Sequence, residues 1–159
     1  HRLLKSLNDM SESQFLKKLK EKFTIEEMKR DNPKPREKGH ISLYLGEKWY
    51  DMQVKPELLG ESLTDNLDYQ ILSDHCFNSI LEIKDVKTDH RVEFVGGIKD
   101  TSYLINKCQD DCKAAFVMHP VSMDDIYYVA NNGKSMPPKC TCFAPKPRSG
   151  FVVHVFDQL

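Results

Sequence analysis

The chain has 159 residues, of which 40% are hydrophobic and 30% charged. This composition suits one folded domain and excludes collagen, a fully disordered chain and a membrane bundle. The 23 basic and 24 acidic side chains give a net charge of −1, so the total charge does not suggest a nucleic-acid partner. The longest uncharged apolar runs, 114–118 and 151–155, are much shorter than the roughly 20 residues that cross a bilayer, so no membrane segment is predicted.

The first predicted element is a helix, followed by a strand. Ser11 is suited to cap the helix and Gln14 to complete a capping box, because their spacing matches that motif. Apolar residues then recur at helical spacing as far as Lys22, and residues 23–28 predict a short strand. The polar segment 31–39 predicts a loop, since its two prolines remove backbone donors.

The clearest element of the chain is a β-hairpin. Residues 41–45 and 48–54 alternate between apolar and polar side chains, and Gly46 and Glu47 lie between them as a two-residue turn. Beyond the hairpin, apolar residues at helical spacing predict a helix over 67–81, with an acidic residue as its cap. That predicted cap is Asp68.

Strands and helices alternate in the second half of the chain. Strands are predicted over 91–95, 113–119 and 151–156, and helices over 100–108 and 122–130. The hairpin argues against a purely parallel sheet. The predicted fold class is therefore α+β: a mixed sheet with a β-hairpin and about four helices, forming a single domain over residues 1–159.

The cysteines indicate the redox environment. Their odd number and the absence of a secretory signal favour free thiols, a reducing compartment and a cytoplasmic location. One alternative is a zinc site formed by Cys108, Cys112, His119 and Cys140. Cys140 and Cys142 are too close in sequence for a typical zinc knuckle, so scattered thiols are the favoured interpretation and no metal site is predicted.

The segment 134–150 is the candidate functional region. Residues 126–156 contain four basic side chains and neither Asp nor Glu. Four prolines restrict the loop, so it can hold its cations around one point where an anion would bind. The residues predicted to bind a phosphate or carboxylate are Lys139, Lys146, Arg148, Ser122 at a helix N-terminus, and Thr141. No catalytic residue is assigned, and a structural proline-rich loop with solvated cations is the alternative.

Other side chains carry weaker predictions. His119 ends a strand, where catalytic residues often lie in α/β sheets, but a histidine bonded to backbone is more common there. His75 neighbours Cys76 on a helix, where adjacent side chains diverge. The alternating charges of 84–91 favour a solvated loop, and the glycine pair 96–97 lacks the spacing of a phosphate-binding motif.

The same region carries a resemblance to the DUF 1015 family, a domain of unknown function. The most specific match is the run Met136-Pro137-Pro138-Lys139. Further matching positions are Thr141, Phe143, Pro145, Lys146, Ser149 and Gly150, with the stretches 8–23, 43–50, 85–91 and 94–98. The chain departs from the family pattern at Cys140, Cys142 and Ala144, where Ser, an aromatic residue and Glu are usual.

The resemblance implies a longer protein. Family members carry an Asp-Gly-His-His-Arg motif in an N-terminal half similar to ParB-like folds, a group that includes free serine kinases, and they are associated with serine metabolism. This chain lacks that motif and starts at His1, so it is expected to be the C-terminal domain, with the ParB-like half as its partner. The expected function is to bind a small anionic ligand in a phosphotransfer enzyme. ADP or ATP with Mg would bind in the full-length protein, and no cofactor in this domain. The alternative is a non-catalytic structural or dimerisation module.

Overall fold

The computed structural model describes residues 1–29, 33–141 and 150. Six strands form its sheet: β1 (Arg2–Leu4), β2 (Phe23–Glu27), β3 (His40–Leu45), β4 (Lys48–Val54), β5 (Val92–Phe94) and β6 (Ala114–Met118). The α-helices are α1 (Glu12–Lys22), α2 (Asp68–Leu72), α3 (Thr101–Asp110) and α4 (Met123–Asn131). The predicted α+β class is confirmed.

The sheet has the strand order β2-β4-β3-β6-β1-β5, and its five described pairings are all antiparallel, where the sequence predicted a mixed sheet. The difference arises from the position of β1. Leu3 lies opposite both Glu93 of β5 and Ala115 of β6. β5 and β6 therefore run in the same direction on either side of β1, with α3 connecting them. The sequence predicted the strands that form β5 and β6 but not β1, the strand between them.

The local signals of the hairpin and the first helix are confirmed. Leu45 pairs with Lys48 across a turn in which Gly46 and Glu47 both have positive φ, 56° and 62°. These angles are typical of the type I′ turn that joins twisted strands. The Ser11 hydroxyl accepts a hydrogen bond from the backbone N–H three residues later, and α1 has the predicted capping box.

The predicted helix over 67–81 is divided into two parts. α2 ends at Leu72 and continues as a π-helical turn over Ser73–Asn78. The prediction that Asp68 caps this helix is wrong, because the cap is Leu67 and makes no side-chain bond. Asp68 lies inside the first turn, and its carboxylate instead accepts a hydrogen bond of 2.9 Å from the Gly39 N–H.

Buried side chains cover both faces of the sheet. One face packs against α1, α2 and the π-helical turn, and its fully buried members include Phe15, Phe23, Phe77, Phe116, Leu43 and Met52. The other face packs against α3 through Leu3, Tyr44, Leu104, Ala115 and Val117. Burying a Leu or Phe contributes about 1.5–3 kcal/mol, so these two layers fix the sheet from which the loops extend.

The predicted strand over 151–156, including His154, lies outside the described residues. Among the helices of the described ranges, none is long and apolar enough to cross a membrane.

Candidate anion-binding cleft

A cleft of about 620 Å³ opens where β6 ends. Its walls are the start of β1, the segment 118–121 after β6, the first turns of α2 and α4, and parts of the loops 34–38 and 139–141. The central position of β6 explains this arrangement, because the segments that leave β6 and enter β1 meet at one end of the sheet. The cleft is therefore formed by parts of the chain that are distant in sequence.

The charged side chains that line the cleft have a positive excess. Four are Lys or Arg and two are carboxylates. They are Arg2, Lys34, Lys38 and Lys139 against Asp68 and Asp125. Apolar side chains such as Leu67, Val117 and Ile126 form much of the remaining wall. Low-polarity walls strengthen the field of a cation, so this excess favours an anionic ligand.

Arg2 is the most deeply buried cation of the cleft, with 3% of its surface exposed. Its Nη1 donates to the His1 carbonyl at 2.9 Å and its Nη2 to Cys140 Sγ at 3.4 Å. The guanidinium also lies over the Phe94 ring, 4.1 Å from the centroid. Within the described part of the chain, no carboxylate lies within 4.0 Å of it. Burial lowers the pKa of Arg2, and Cys140 acts in the opposite direction.

Two of the predicted anion-binding residues, Lys139 and Thr141, line the cleft. Lys139 has a left-handed backbone, with φ at 56°, and its Nζ donates to the Phe94 carbonyl at 2.9 Å. This contact holds the start of the proline-rich loop against the end of β5. Lys139 and Arg2 consequently reach the same region of the cleft from opposite ends of the sequence.

Ser122 begins α4 as predicted, and its polar groups are engaged in the capping box of that helix. Its hydroxyl accepts from the Asp125 N–H at 3.1 Å, and its own N–H donates to the Asp125 carboxylate at 3.1 Å. A carboxylate of the chain itself therefore caps the N-terminus of α4, where the sequence predicted a bound anion. The role of Ser122 toward a ligand stays a prediction.

Lys146 and Arg148 lie outside the described residues, as do Cys142 and Phe143. Their place in the predicted site stays a prediction. The cations that the described residues bring to the cleft are Arg2, Lys34, Lys38 and Lys139, of which the sequence singled out only the last.

Asp68 and Asp125 form the acidic part of the cleft. Burial raises the pKa of Asp68, and the Gly39 N–H, His119 and Lys38 act against that rise. Burial also raises the pKa of Asp125, but hydrogen bonds from Lys38 and Ser122 outweigh it and hold the value below the ordinary range. Asp125 is therefore an ionised partner of Lys38, at an Nζ–Oδ1 distance of 2.5 Å.

Sequence reasoning missed Arg2, Lys38 and Asp68 as lining residues. Arg2 carried one available signal, because it is a charged side chain next to Leu3 and Leu4, which are fully buried in the same strand. A charge within a short apolar strand is costly to bury, so it commonly marks a specific partner or a site. Lys38 carried no comparable signal, since the sequence around it reads as an ordinary polar loop.

The remaining candidates have local partners. His119 lines the cleft, and its Nδ1 lies 3.0 Å from the Pro120 carbonyl, while His75 Nε2 lies 3.1 Å from the Leu58 carbonyl. Asp85 accepts from the Lys87 N–H, which makes the charged stretch a local turn. Among the described residues, no group of three or more His, Cys, Asp or Glu side chains could hold a metal ion. The zinc alternative therefore finds no support in the geometry.

The comparison with protein families covers the N-terminal residues that line this cleft. Residues 1–70 match the family model of DUF1015, a protein family of unknown function. The resemblance to DUF1015 is confirmed for this part of the chain, which contains Arg2, Lys38 and Asp68. The run 136–139 lies beyond the matched residues, so its resemblance to DUF1015 stays a prediction. No curated protein and no solved structure shows significant similarity to the chain.

Proposed function

We propose that this chain binds a small phosphate- or carboxylate-bearing molecule in the cleft at the end of β6. The observation that carries the proposal is Arg2, a residue that is 3% exposed and whose guanidinium has no carboxylate within 4.0 Å among the described residues. Burying an uncompensated charge costs several kcal/mol, and an anionic ligand would offset that cost. The planar fork of Arg suits a phosphate or carboxylate group.

Lys139 and Thr141 are the further ligand-binding residues of this proposal, together with Lys146 and Arg148 of the same loop. An exposed ion pair contributes only about 0–1 kcal/mol, so surface lysines alone barely reach the roughly 4 kcal/mol of a millimolar complex. Arg2 adds to this binding free energy, because hydrogen bonds from a buried charged group are worth about 1.5–3 kcal/mol. The ligand's anionic group belongs beside Arg2, and its apolar part beside Leu67 and Ile126.

The finer proposal is a role in phosphotransfer, similar to that of a free serine kinase in serine metabolism. It is supported by the resemblance to DUF1015 and by the cations, which would neutralise charge rather than accept protons. Of the two carboxylates that line the cleft, Asp125 is engaged by Lys38 and Ser122. In this proposal ADP or ATP with Mg binds in the full-length protein, and no reaction step is assigned to a metal here. A cytoplasmic location belongs to the same proposal.

Calorimetric titration of the chain with inorganic phosphate, serine, phosphoserine, ADP and ATP tests the proposal. We expect at least one of the phosphate-bearing compounds to bind with a Kd of about 1 mM or lower. Arg2→Gln should weaken that binding at least tenfold, and Lys139→Ala less. Arg36→Gln is the matched control, because Arg36 is exposed and does not line the cleft.

Circular dichroism must show that Arg2→Gln is folded, and Arg2→Lys provides a second variant that keeps the charge but loses the fork. The proposal is wrong if none of the phosphate-bearing compounds binds, or if Arg2→Gln and Arg36→Gln bind equally well while folded. The first of these results would favour the alternative, a non-catalytic module that supports folding or homodimer formation. Light scattering with Phe143→Ala then measures whether assembly depends on the proline-rich loop.

A further inference from the structure

Asp68 is a buried acidic residue of the cleft without a charged partner. It is 7% exposed and lines the cleft, and its carboxylate accepts a hydrogen bond from the Gly39 N–H at 2.9 Å. Within the described ranges, no Lys, Arg or His nitrogen lies within 4.0 Å of that carboxylate. A backbone N–H supplies a dipole and no positive charge, so the negative charge of Asp68 is not neutralised.

Asp125, the other carboxylate that lines the cleft, shows the contrast. Burial acts to raise its pKa, but hydrogen bonds from Lys38 and Ser122 outweigh that effect and lower the value. Burial raises the pKa of Asp68, and the charges of His119 and Lys38 do not cancel that rise. Because the Lys38 ammonium is paired with Asp125, this wall of the cleft keeps one negative charge.

The negative and positive charges lie on different walls of the cleft. Lys38 and Gly39, which precede β3, donate to the two carboxylates. Arg2 and Lys139 both contact Phe94 of β5. In the strand order β3-β6-β1-β5, the acidic wall is therefore next to β3 and the cationic wall next to β1 and β5. Neighbouring strands are about 4.8 Å apart, so β3 and β1, on either side of β6, are separated by roughly 10 Å.

We propose that the ligand of this cleft carries a primary amine in addition to its phosphate or carboxylate, and that Asp68 binds the ammonium group. The inference rests on the proposed function, because the anionic group is still placed beside Arg2. Arg2 and Asp68 do not neutralise each other, since they lie on different walls and form no ion pair. A ligand with both charges neutralises both residues, and its carbon chain lies along Leu67, the apolar lining residue before Asp68.

The position of Asp68 determines which anions the cleft prefers. A phosphate compound without an amine leaves the buried carboxylate unpaired, and a ligand that leaves a buried charge unpaired binds less tightly. The amine and the anionic group must also be several bonds apart, because their partners lie on walls separated by roughly 10 Å. The preferred substrate class is therefore an aminoalkyl phosphate or carboxylate rather than a simple anion.

Calorimetric titration of the unmodified 159-residue chain with matched pairs of compounds tests the inference. Each pair consists of an aminoalkyl phosphate and the alkyl phosphate of the same length, with carbon chains from ethyl to pentyl. We expect the aminoalkyl phosphate of the best pair to bind at least tenfold more tightly than its alkyl partner. Asp68→Asn should remove that difference. Asp124→Asn is the matched control that should preserve it, because Asp124 is exposed and does not line the cleft.

The comparison within each pair needs no variant, and circular dichroism shows whether Asp68→Asn is folded. The inference is overturned, and the proposed function is not, if both members of every pair bind equally well and Arg2→Gln weakens both. A tighter aminoalkyl phosphate whose advantage persists in folded Asp68→Asn also overturns it, since the amine then binds elsewhere. Absence of binding by any phosphate compound would instead contradict the proposed function, on which the inference rests.

Discussion

Lys38 and Asp125 form an ion pair with 2.5 Å between Nζ and Oδ1, although they are 87 positions apart in the sequence. The pair connects the loop before β3 to the first turn of α4. Asp125 is nearly buried, with 5% of its side chain exposed, while Lys38 is 43% exposed. The two side chains thus hold one wall of the cleft, and their carboxylate also completes the capping box of α4.

Lys38→Met is expected to lower the free energy of unfolding by about 1–2 kcal/mol, because a nearly buried carboxylate loses its charged partner. Urea denaturation measures the change. Lys48→Met is the matched control, since Lys48 pairs with Glu27 at 3.1 Å on the surface, with side chains 55% and 47% exposed. That exposed pair should contribute less than about 1 kcal/mol. Equal losses in both variants would contradict the structural role of the Lys38 pair.

Acid should destabilise the protein through Asp89. Hydrogen bonds from the Arg91 side chain, at 3.0 Å from Nε and 2.7 Å from Nη2, lower the pKa of Asp89 from 3.8 to about 2. The folded pKa lies below the unfolded value, so this stabilisation is present above about pH 4 and is lost as the pH falls toward 2. Asp89→Asn should flatten the stability curve between pH 4 and 2 in urea denaturation.

Arg91→Met serves as the partner control for that prediction. It removes the same hydrogen bonds from the other side, so it should flatten the same part of the curve. If Asp89→Asn keeps the full acid dependence of the unmodified chain between pH 4 and 2, the bidentate pair does not cause it.

Phe116→Ala should destabilise the fold by about 3–5 kcal/mol, because it leaves a cavity at the centre of the sheet. Phe116 is fully buried, and its ring meets Phe77 edge to face, with centroids 5.5 Å apart. Phe116→Leu should cost less than Phe116→Ala, since it keeps most of the volume. Ile98→Ala, at a side chain that is 83% exposed, should leave the melting temperature almost unchanged. Similar melting temperatures for Phe116→Ala and Ile98→Ala would contradict the burial of Phe116 in the core.

Glu47→Gly should stabilise the β3–β4 hairpin. Glu47 has φ at 62°, a left-handed conformation that costs a non-glycine residue about 1–2 kcal/mol, partly offset by the greater freedom of glycine in the unfolded chain. We expect a net gain of about 0.5–1 kcal/mol. Glu47→Ala keeps the unfavourable backbone and should show no such gain in thermal denaturation. A loss of stability in Glu47→Gly would mean that the Glu47 side chain stabilises the turn more than its backbone strains it.

Sequence patterns with a local physical cause predicted local structure well. The Ser11 capping box, the helix start at Ser122 and the 46–47 turn depend on contacts within a few residues, and all three are found. The helix over 67–81 was less well predicted. Its apolar spacing fits a continuous helix, but backbone bonding changes to a π-helical turn after Leu72, and apolar spacing alone does not distinguish these bonding patterns.

The sequence by itself determined the helices, the hairpin and the α+β class, because capping, turn geometry and apolar periodicity act between near neighbours. Only the tertiary structure decided that β1 lies between β5 and β6, and hence that the sheet is antiparallel. The same placement brings Arg2 to Cys140, 138 positions away, and to Lys139. The burial and charge compensation of Arg2 in the cleft depend on which distant segments pack together. Local sequence patterns do not determine that packing.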